Sequence, residues 1–226
     1  MKKLIIAITS AFMLFATSAI SMELRPAVGI SGNMGVYAAT GTEKNFNETG
    51  TLNTTTDEHG AFATEFGSVF VEVGLSDAVS LGVDYVPQAL ETPKNVSNEN
   101  GGETAGEDNS NTVEAHFEDL TTIYAKLNIP LGGTYLKVGY SMVDVISIEN
   151  MNSGSTYGND TSDGLTVGIG YDHEVSNGFS IRAEITGTDF SDVKADNGVA
   201  TSGNRNEIVI KDMIGARGTI SLVKAF

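Results

Sequence analysis

From Ala27 onward, apolar side chains recur at every second position, the period of a strand with two unlike faces rather than of a helix. Val28, Ile30, Met34 and Val36 alternate with Gly29, Ser31, Asn33 and Gly35. Val69, Val71 and Val73 are set against Phe70 and Glu72; then Val79, Leu81, Val83 and Tyr85 are set against Ser80, Gly82 and Asp84. The pattern returns in Thr121, Ile123, Ala125, Leu127 and Ile129, and again in Leu136, Val138, Tyr140 and Met142. It continues in Leu165, Val167, Ile169 and Tyr171, then in Phe179, Ile181, Ala183 and Ile185. Ile214, Ala216, Gly218, Ile220 and Leu222 form the last series. About eight strands are predicted. In the second strand two phases compete, because Phe62, Phe66 and Phe70 oppose the valine series.

The connections come in two lengths that alternate strictly. Short turns are predicted near Ser76, at Pro130-Leu131-Gly132-Gly133 and at Ser176-Asn177-Gly178. Long polar connections are predicted over residues 42–60, 88–112, 147–162 and 189–206. An even number of antiparallel strands, with short periplasmic turns and long outer loops, is the layout of a transmembrane β-barrel. The expected fold is therefore all-β: a single up-and-down antiparallel barrel with long extracellular loops and both mature termini at the periplasm.

In such a barrel the apolar set faces lipid and the polar set fills the lumen. The polar series carries Glu72, Asp84, Lys126, Lys137, Arg182, Glu184 and Arg217, three acids against four bases. An unpaired buried charge is costly, so this near balance predicts ion pairs that plug the lumen. Small residues such as Gly164, Gly168 and Gly170 are expected to leave room for the long basic side chains. Changes at the polar positions Ser141 and Thr166 are expected to cost little.

Three further features of the chain bear on its compartment and partners. The first residues combine Lys2 and Lys3 with an apolar stretch from Leu4 to Ala16, shorter than a spanning helix, and a small-residue site at Ala19-Ile20-Ser21. Residues 1–21 are therefore expected to be a cleaved signal peptide and residues 22–226 an outer-membrane barrel domain of a Gram-negative cell envelope. Removing the two lysines moves the net charge from −16 to 11 − 29 = −18, which disfavours nucleic acid as a partner. Cysteine is absent, so neither disulfides nor thiolate metal sites contribute.

The chain ends Gly218-Thr219-Ile220-Ser221-Leu222-Val223-Lys224-Ala225-Phe226. This resembles the terminal strand of outer-membrane barrels, and the resemblance implies recognition of Phe226 by the barrel-assembly machinery. Lys224 stands where such strands often carry a further hydrophobic residue. The stretch Asn177-Gly178-Phe179-Ser180-Ile181-Arg182-Ala183-Glu184 is similar to the penultimate hairpin of opacity-type and other small eight-stranded barrels. The resemblance implies outer-membrane lipid as surroundings; members include adhesins and structural anchors.

Candidate chemistry is sparse. His59 is assigned to the first long loop and His173 to a short turn, at opposite ends of the barrel. His116 lies near Glu114, Glu118 and Asp119, and with a loop serine would make a lipid-modifying constellation of nucleophile, base and acid. No characteristic His-x-Ser spacing accompanies it, and no catalytic residue is assigned. The carboxylates Glu91, Glu99, Glu103, Glu107, Asp108, Asp189, Asp192 and Asp196 are read as solvated loop charges. Asn159-Asp160-Thr161-Ser162-Asp163-Gly164 lacks the first acid and final glutamate of a calcium loop, so no metal or cofactor is assigned. The expected role is a structural or surface-interaction barrel with a plugged lumen, acidic outer loops and an extracellular ligand as the partner. A lipid-modifying enzyme and a narrow pore are the alternatives.

Overall fold

The computed structural model describes residues 24–98, 110–150, 156–198 and 205–226. The expected signal peptide lies outside them, as do Glu99, Glu103, Glu107 and Asp108. Eleven strands follow in order: β1 Arg25–Phe46, β2 Leu52–Gly74, β3 Val79–Tyr85, β4 Leu90–Glu91, β5 Asn95–Asn98 and β6 Ser110–Asn128. Then come β7 Thr134–Asn150, β8 Asp160–Ser176, β9 Phe179–Phe190, β10 Val193–Asp196 and β11 Arg205–Ala225. Antiparallel pairing runs β1-β2-β3-β6-β7-β8-β9-β11, and β11 returns to β1 from Ala27↔Ala225 to Phe46↔Arg205. This closes an eight-stranded barrel without free edges in its lower part. The short β4 and β5 pair with β6, and β10 pairs with β11.

The three short turns stand where the pattern placed them. Ser76 Oγ accepts from the amides of Ala78 and Val79. Asn177 and Gly178 both take positive φ, 50° and 76°, as a two-residue hairpin requires. Lys224 Nζ donates to the Asn177 carbonyl at 2.6 Å, which ties β11 to this turn. The first long connection is a correction, because most of its residues continue the strands. Of residues 42–60, only Asn47–Thr51 turn, with the Asn47 side chain accepting from the amides of Thr49 and Thr51. The Thr54-Thr55-Thr56 run is β-branched and polar on both faces. It favours strand but shows no alternation, because water lies on each side.

The faces are inverted as expected. Val28, Ile30, Met34, Val138, Leu165, Ile169, Ile185 and Ile220 are exposed, whereas Asn33, Ser68, Thr122, Ser141, Thr166 and Thr219 are buried. In β2 the competing phases resolve: Val69 and Val71 face outward, and Phe66 and Phe70 are 5% exposed inside. Tyr85 and Tyr140 project outward near the outer end, their hydroxyls donating to Asp119 and Asp163. Tyr171, Phe179 and Phe226 are exposed at the periplasmic end. These two sets stand where aromatic girdles mark the two lipid interfaces.

Above the outer girdle the polarity reverses again. One extra residue enters β6 between Glu118 and Thr121, and one enters β11 opposite Ala39. Asp119 and Asp212 take positive φ at these bulges, which aspartate tolerates better than most residues. A one-residue slip moves every following side chain to the other face. Past the bulge, Phe117 turns inward with its partner Leu90, while Glu118 turns outward. The apolar core therefore sits in the outer mouth, built from Phe66, Leu90, Leu120, Val143, Phe190 and Met213. There the outer surface meets water instead of lipid, so burying the apolar set inside is favourable.

Candidate functional site

All seven predicted lumen charges lie inside the barrel, each 4–8% exposed. Arg182 reaches across from β9 to β2, its Nη1 2.6 Å and Nη2 3.3 Å from the two Glu72 oxygens. Its Nη2 also donates to Asp172 at 2.8 Å. Lys126 bridges the same two carboxylates, 3.0 Å from Glu72 and 3.3 Å from Asp172. Lys137 pairs with Glu184 at 2.9 Å and Arg217 with Asp84 at 3.0 Å. Lys126 and Lys137 are direct cross-strand partners, a repulsive arrangement that Glu72 and Glu184 relieve by drawing the two ammonium groups apart. Asp172 is the member that sequence reasoning missed, since it follows Tyr171 at the end of an assigned strand. With it the network holds four carboxylates and four cations.

Tyrosines complete the plug. Tyr124 donates to Glu72 at 2.9 Å and Tyr135 to Glu184 at 2.7 Å. The Lys137 ammonium lies 4.0 Å from the Tyr124 ring centroid. Here the expected use of glycine is corrected. Gly82 and Gly170 make room for the rings of their cross-strand partners Tyr124 and Tyr135, not directly for Lys or Arg. A Cβ at Gly170 would lie 2.2 Å from the Tyr135 ring and one at Gly82 2.4 Å from Tyr124. Gly170→Val is therefore expected to lower stability by about 1–3 kcal/mol through overpacking. Gly218→Val, with open space around the new group, is expected to be close to neutral. Heat-dependent gel mobility of the refolded proteins checks the difference.

Above the ions a hydroxyl chain crosses the wall: Thr122, Ser141, Thr166 and Thr188 are linked at 2.7, 2.7 and 2.8 Å. Asn33 ties Thr219 to Ser68, and Ser68 donates to Asp84, so this layer is continuous with the ion pairs. Ser141 and Thr166 are thus packed and bonded members of the plug, which corrects the expectation that changes there are cheap. Above the hydroxyls comes the apolar layer, and above that a cavity of about 440 Å³ walled by Tyr37, Phe62, Phe117, Leu120 and Met213.

The other candidates are dispersed. His59 belongs to β2 and meets Thr40 Oγ at 3.0 Å; His173 belongs to β8, not to a turn, and stacks on Tyr171. His116 pairs with Glu114 at 2.9 Å, while Glu118 is exposed. Glu91, opposite His116 in the β4–β6 pair, brings a third donor, and the ligand atoms of Glu91, Glu114 and His116 lie within 4.8 Å of one another. That spacing suits a divalent cation, and only the short β4 pairing creates it. Asp160 to Gly164 form the start of β8, so the calcium-loop reading falls on a strand. In the β1–β2 extension, a hydrogen bond from Thr42 holds the Asp57 carboxyl below the usual carboxylate range.

The geometry can be set beside known proteins. The outer membrane protein OprG of Pseudomonas aeruginosa superposes with a TM-score of 0.51 at 13% identity, over 88% of this chain and 95% of its own. The outer membrane protease OmpT of Escherichia coli gives 0.47 at 9% identity, over 93% of this chain and 99% of its own. Ail, the attachment invasion locus protein of Yersinia pestis, gives 0.39 at 8% identity, over 86% and 99%. These likenesses concern the fold. No curated protein matches the chain. The family profile of the outer membrane protein beta-barrel domain matches residues 7–203, most of the strands described above. With a closed ring of eight strands, an apolar girdle and a polar lumen, the chain belongs to the outer membrane protein beta-barrel domain family and resides in the cell outer membrane.

Proposed function

We propose that the protein is a closed, non-enzymatic surface-interaction barrel that presents its outer mouth to extracellular ligands. The observation that carries this reading is the lumen network. Four cations and four carboxylates span β2, β3, β6, β7, β8, β9 and β11, and tyrosines and a hydroxyl layer seal what remains. A path for solutes would have to break several desolvated pairs at once. Above this floor, β1, β2, β6 and β7 run on past the bulges as a wall that holds the binding surface in place.

Planar-bilayer recordings of the wild type are expected to show little or no steady conductance. A large, stable conductance would replace this reading with a channel. Exchange of residues 47–51 and 99–109 for short Gly-Ser turns is expected to abolish adhesion of protein-bearing vesicles to target surfaces while the barrel still folds. Unchanged adhesion would move the interaction away from the outer mouth.

A further inference from the structure

The cavity in the outer mouth has properties that define a ligand. Its volume, about 440 Å³, falls within the roughly 300–1,000 Å³ of small-molecule sites. Its wall is aromatic: Phe62 stacks between Tyr37 at 5.3 Å and Phe117 at 5.9 Å, joining three strands into one surface. Its floor is the Leu120, Phe190 and Met213 layer, with the hydroxyls and ions below, so an occupant has no continuation toward the periplasm.

The charges in and near the lining select the polar end of the occupant. Glu58 lies in the lining, on the same face of β2 as Gly60 and Phe62. Nearby acids already have partners: Asp57 has Lys211, Glu207 has Lys44, and Glu114 meets the His116 ring nitrogen at 2.9 Å. Glu58 is in no such ion pair among the described residues, and Lys94, though adjacent to the lining residues Pro93 and Asn95, is not itself part of the wall. An anionic head would meet Glu58 and Glu114, with His59 as the basic side chain of the lining; an ammonium head would pair with Glu58.

We propose that this cavity binds a small cationic amphiphile, with its alkyl or aryl body against the Phe62–Phe117 wall and its ammonium-type head beside Glu58. The inference deepens the surface-interaction reading and rests on its closed floor. The chain contains no tryptophan, so Phe62→Trp installs a single emitter in the wall. The full-length protein in lipid nanodiscs is titrated with brominated dodecyl chains that carry a trimethylammonium, hydroxyl or carboxylate head. Val138→Trp, on the lipid face, serves as the control for chains dissolved in the bilayer.

Saturable quenching of the Phe62→Trp protein is expected. The ammonium chain should bind about two- to five-fold tighter than the hydroxyl chain, the size of one exposed ion pair. The carboxylate chain should be weakest. Glu58→Gln should erase the ranking of the heads, and Ala115→Phe, which adds a ring beside Phe117, should weaken all three at least tenfold. If Ala115→Phe fails to fold, Ala39→Val fills the opposite side and serves instead. Quenching that is linear and equal at Phe62→Trp and Val138→Trp overturns the proposal. So does saturable binding that prefers the carboxylate head. Conductance reports on the floor independently: a conducting barrel that still ranks the three heads would refute the closed lumen and leave the cavity site standing.

Discussion

Replacing Arg182 by methionine is expected to destabilise the barrel by about 3–5 kcal/mol, because it removes one partner from a buried ionic group and leaves the others in place. Glu72 loses a two-pronged contact, and Asp172 loses its shortest one. Lys126 remains within reach of both acids, so one cation would face two carboxylates where two cations stood before. The loss should be larger than that of Lys137→Met, which touches only Glu184 among the carboxylates. Arg182→Met combined with Glu72→Gln should recover part of the stability, since the double change removes charge from both sides. Urea midpoints for folding into lipid vesicles check both statements. Equal midpoints for wild type and Arg182→Met would mean that the network does not hold the barrel together. The same variant should remain electrically quiet in bilayers while folded, because Lys126, Lys137, Arg217, Tyr124 and Tyr135 still occupy the lumen.

Val138→Arg is expected to cost about 2–4 kcal/mol if position 138 meets the bilayer midplane. Val138 lies in the middle of β7, between Ala125 and Val167, and is 45% exposed on the lipid-facing side. Val138→Leu, which keeps the face apolar, should fold like the wild type. Ser141→Asn should also be costly, about 1–3 kcal/mol by overpacking, because Ser141 is 2% exposed and bridges two hydroxyls. The two effects separate by surroundings: moving from bilayer to detergent micelle should soften the Val138→Arg penalty and leave that of Ser141→Asn. Wild-type behaviour of Val138→Arg in vesicles would show that this face does not meet lipid.

Much of the barrel was legible because lipid imposes a simple rule on each strand. Outward residues must be apolar, and inward ones need not be, so alternation is strong wherever a strand crosses the hydrocarbon. The same rule located the seven lumen charges. It failed on Asp172, beyond the apolar run, and on His173, because the end of β8 lies below the lipid girdle, where alternation weakens. It also failed on residues 42–60. A strand wet on both faces carries no periodic signal, although its β-branched threonines are compatible with the extended form. The Glu91, Glu114 and His116 group was hidden for another reason, since it depends on a two-residue strand whose pairing no local pattern announces.

The period, the number of crossings, the alternation of short and long connections and the sign of the lumen charges could all be read along the chain. Those properties are local: each follows from which of two faces a side chain occupies and from whether a turn contains residues that accept positive φ. Who pairs with whom emerges only on closure of the barrel. Arg182 and Glu72 are 110 residues apart, and closure of β11 onto β1 brings opposite walls to within the reach of a side chain. The structure alone also showed that single extra residues at Asp119 and Asp212 reverse the faces above the membrane. That reversal carries Phe117, with Leu90 opposite it, from the water side to the interior of the mouth. The physical reason is the change of solvent along the barrel axis. In lipid the favourable place for apolar groups is outside, and in water it is inside, so one continuous strand must switch register where the two media meet.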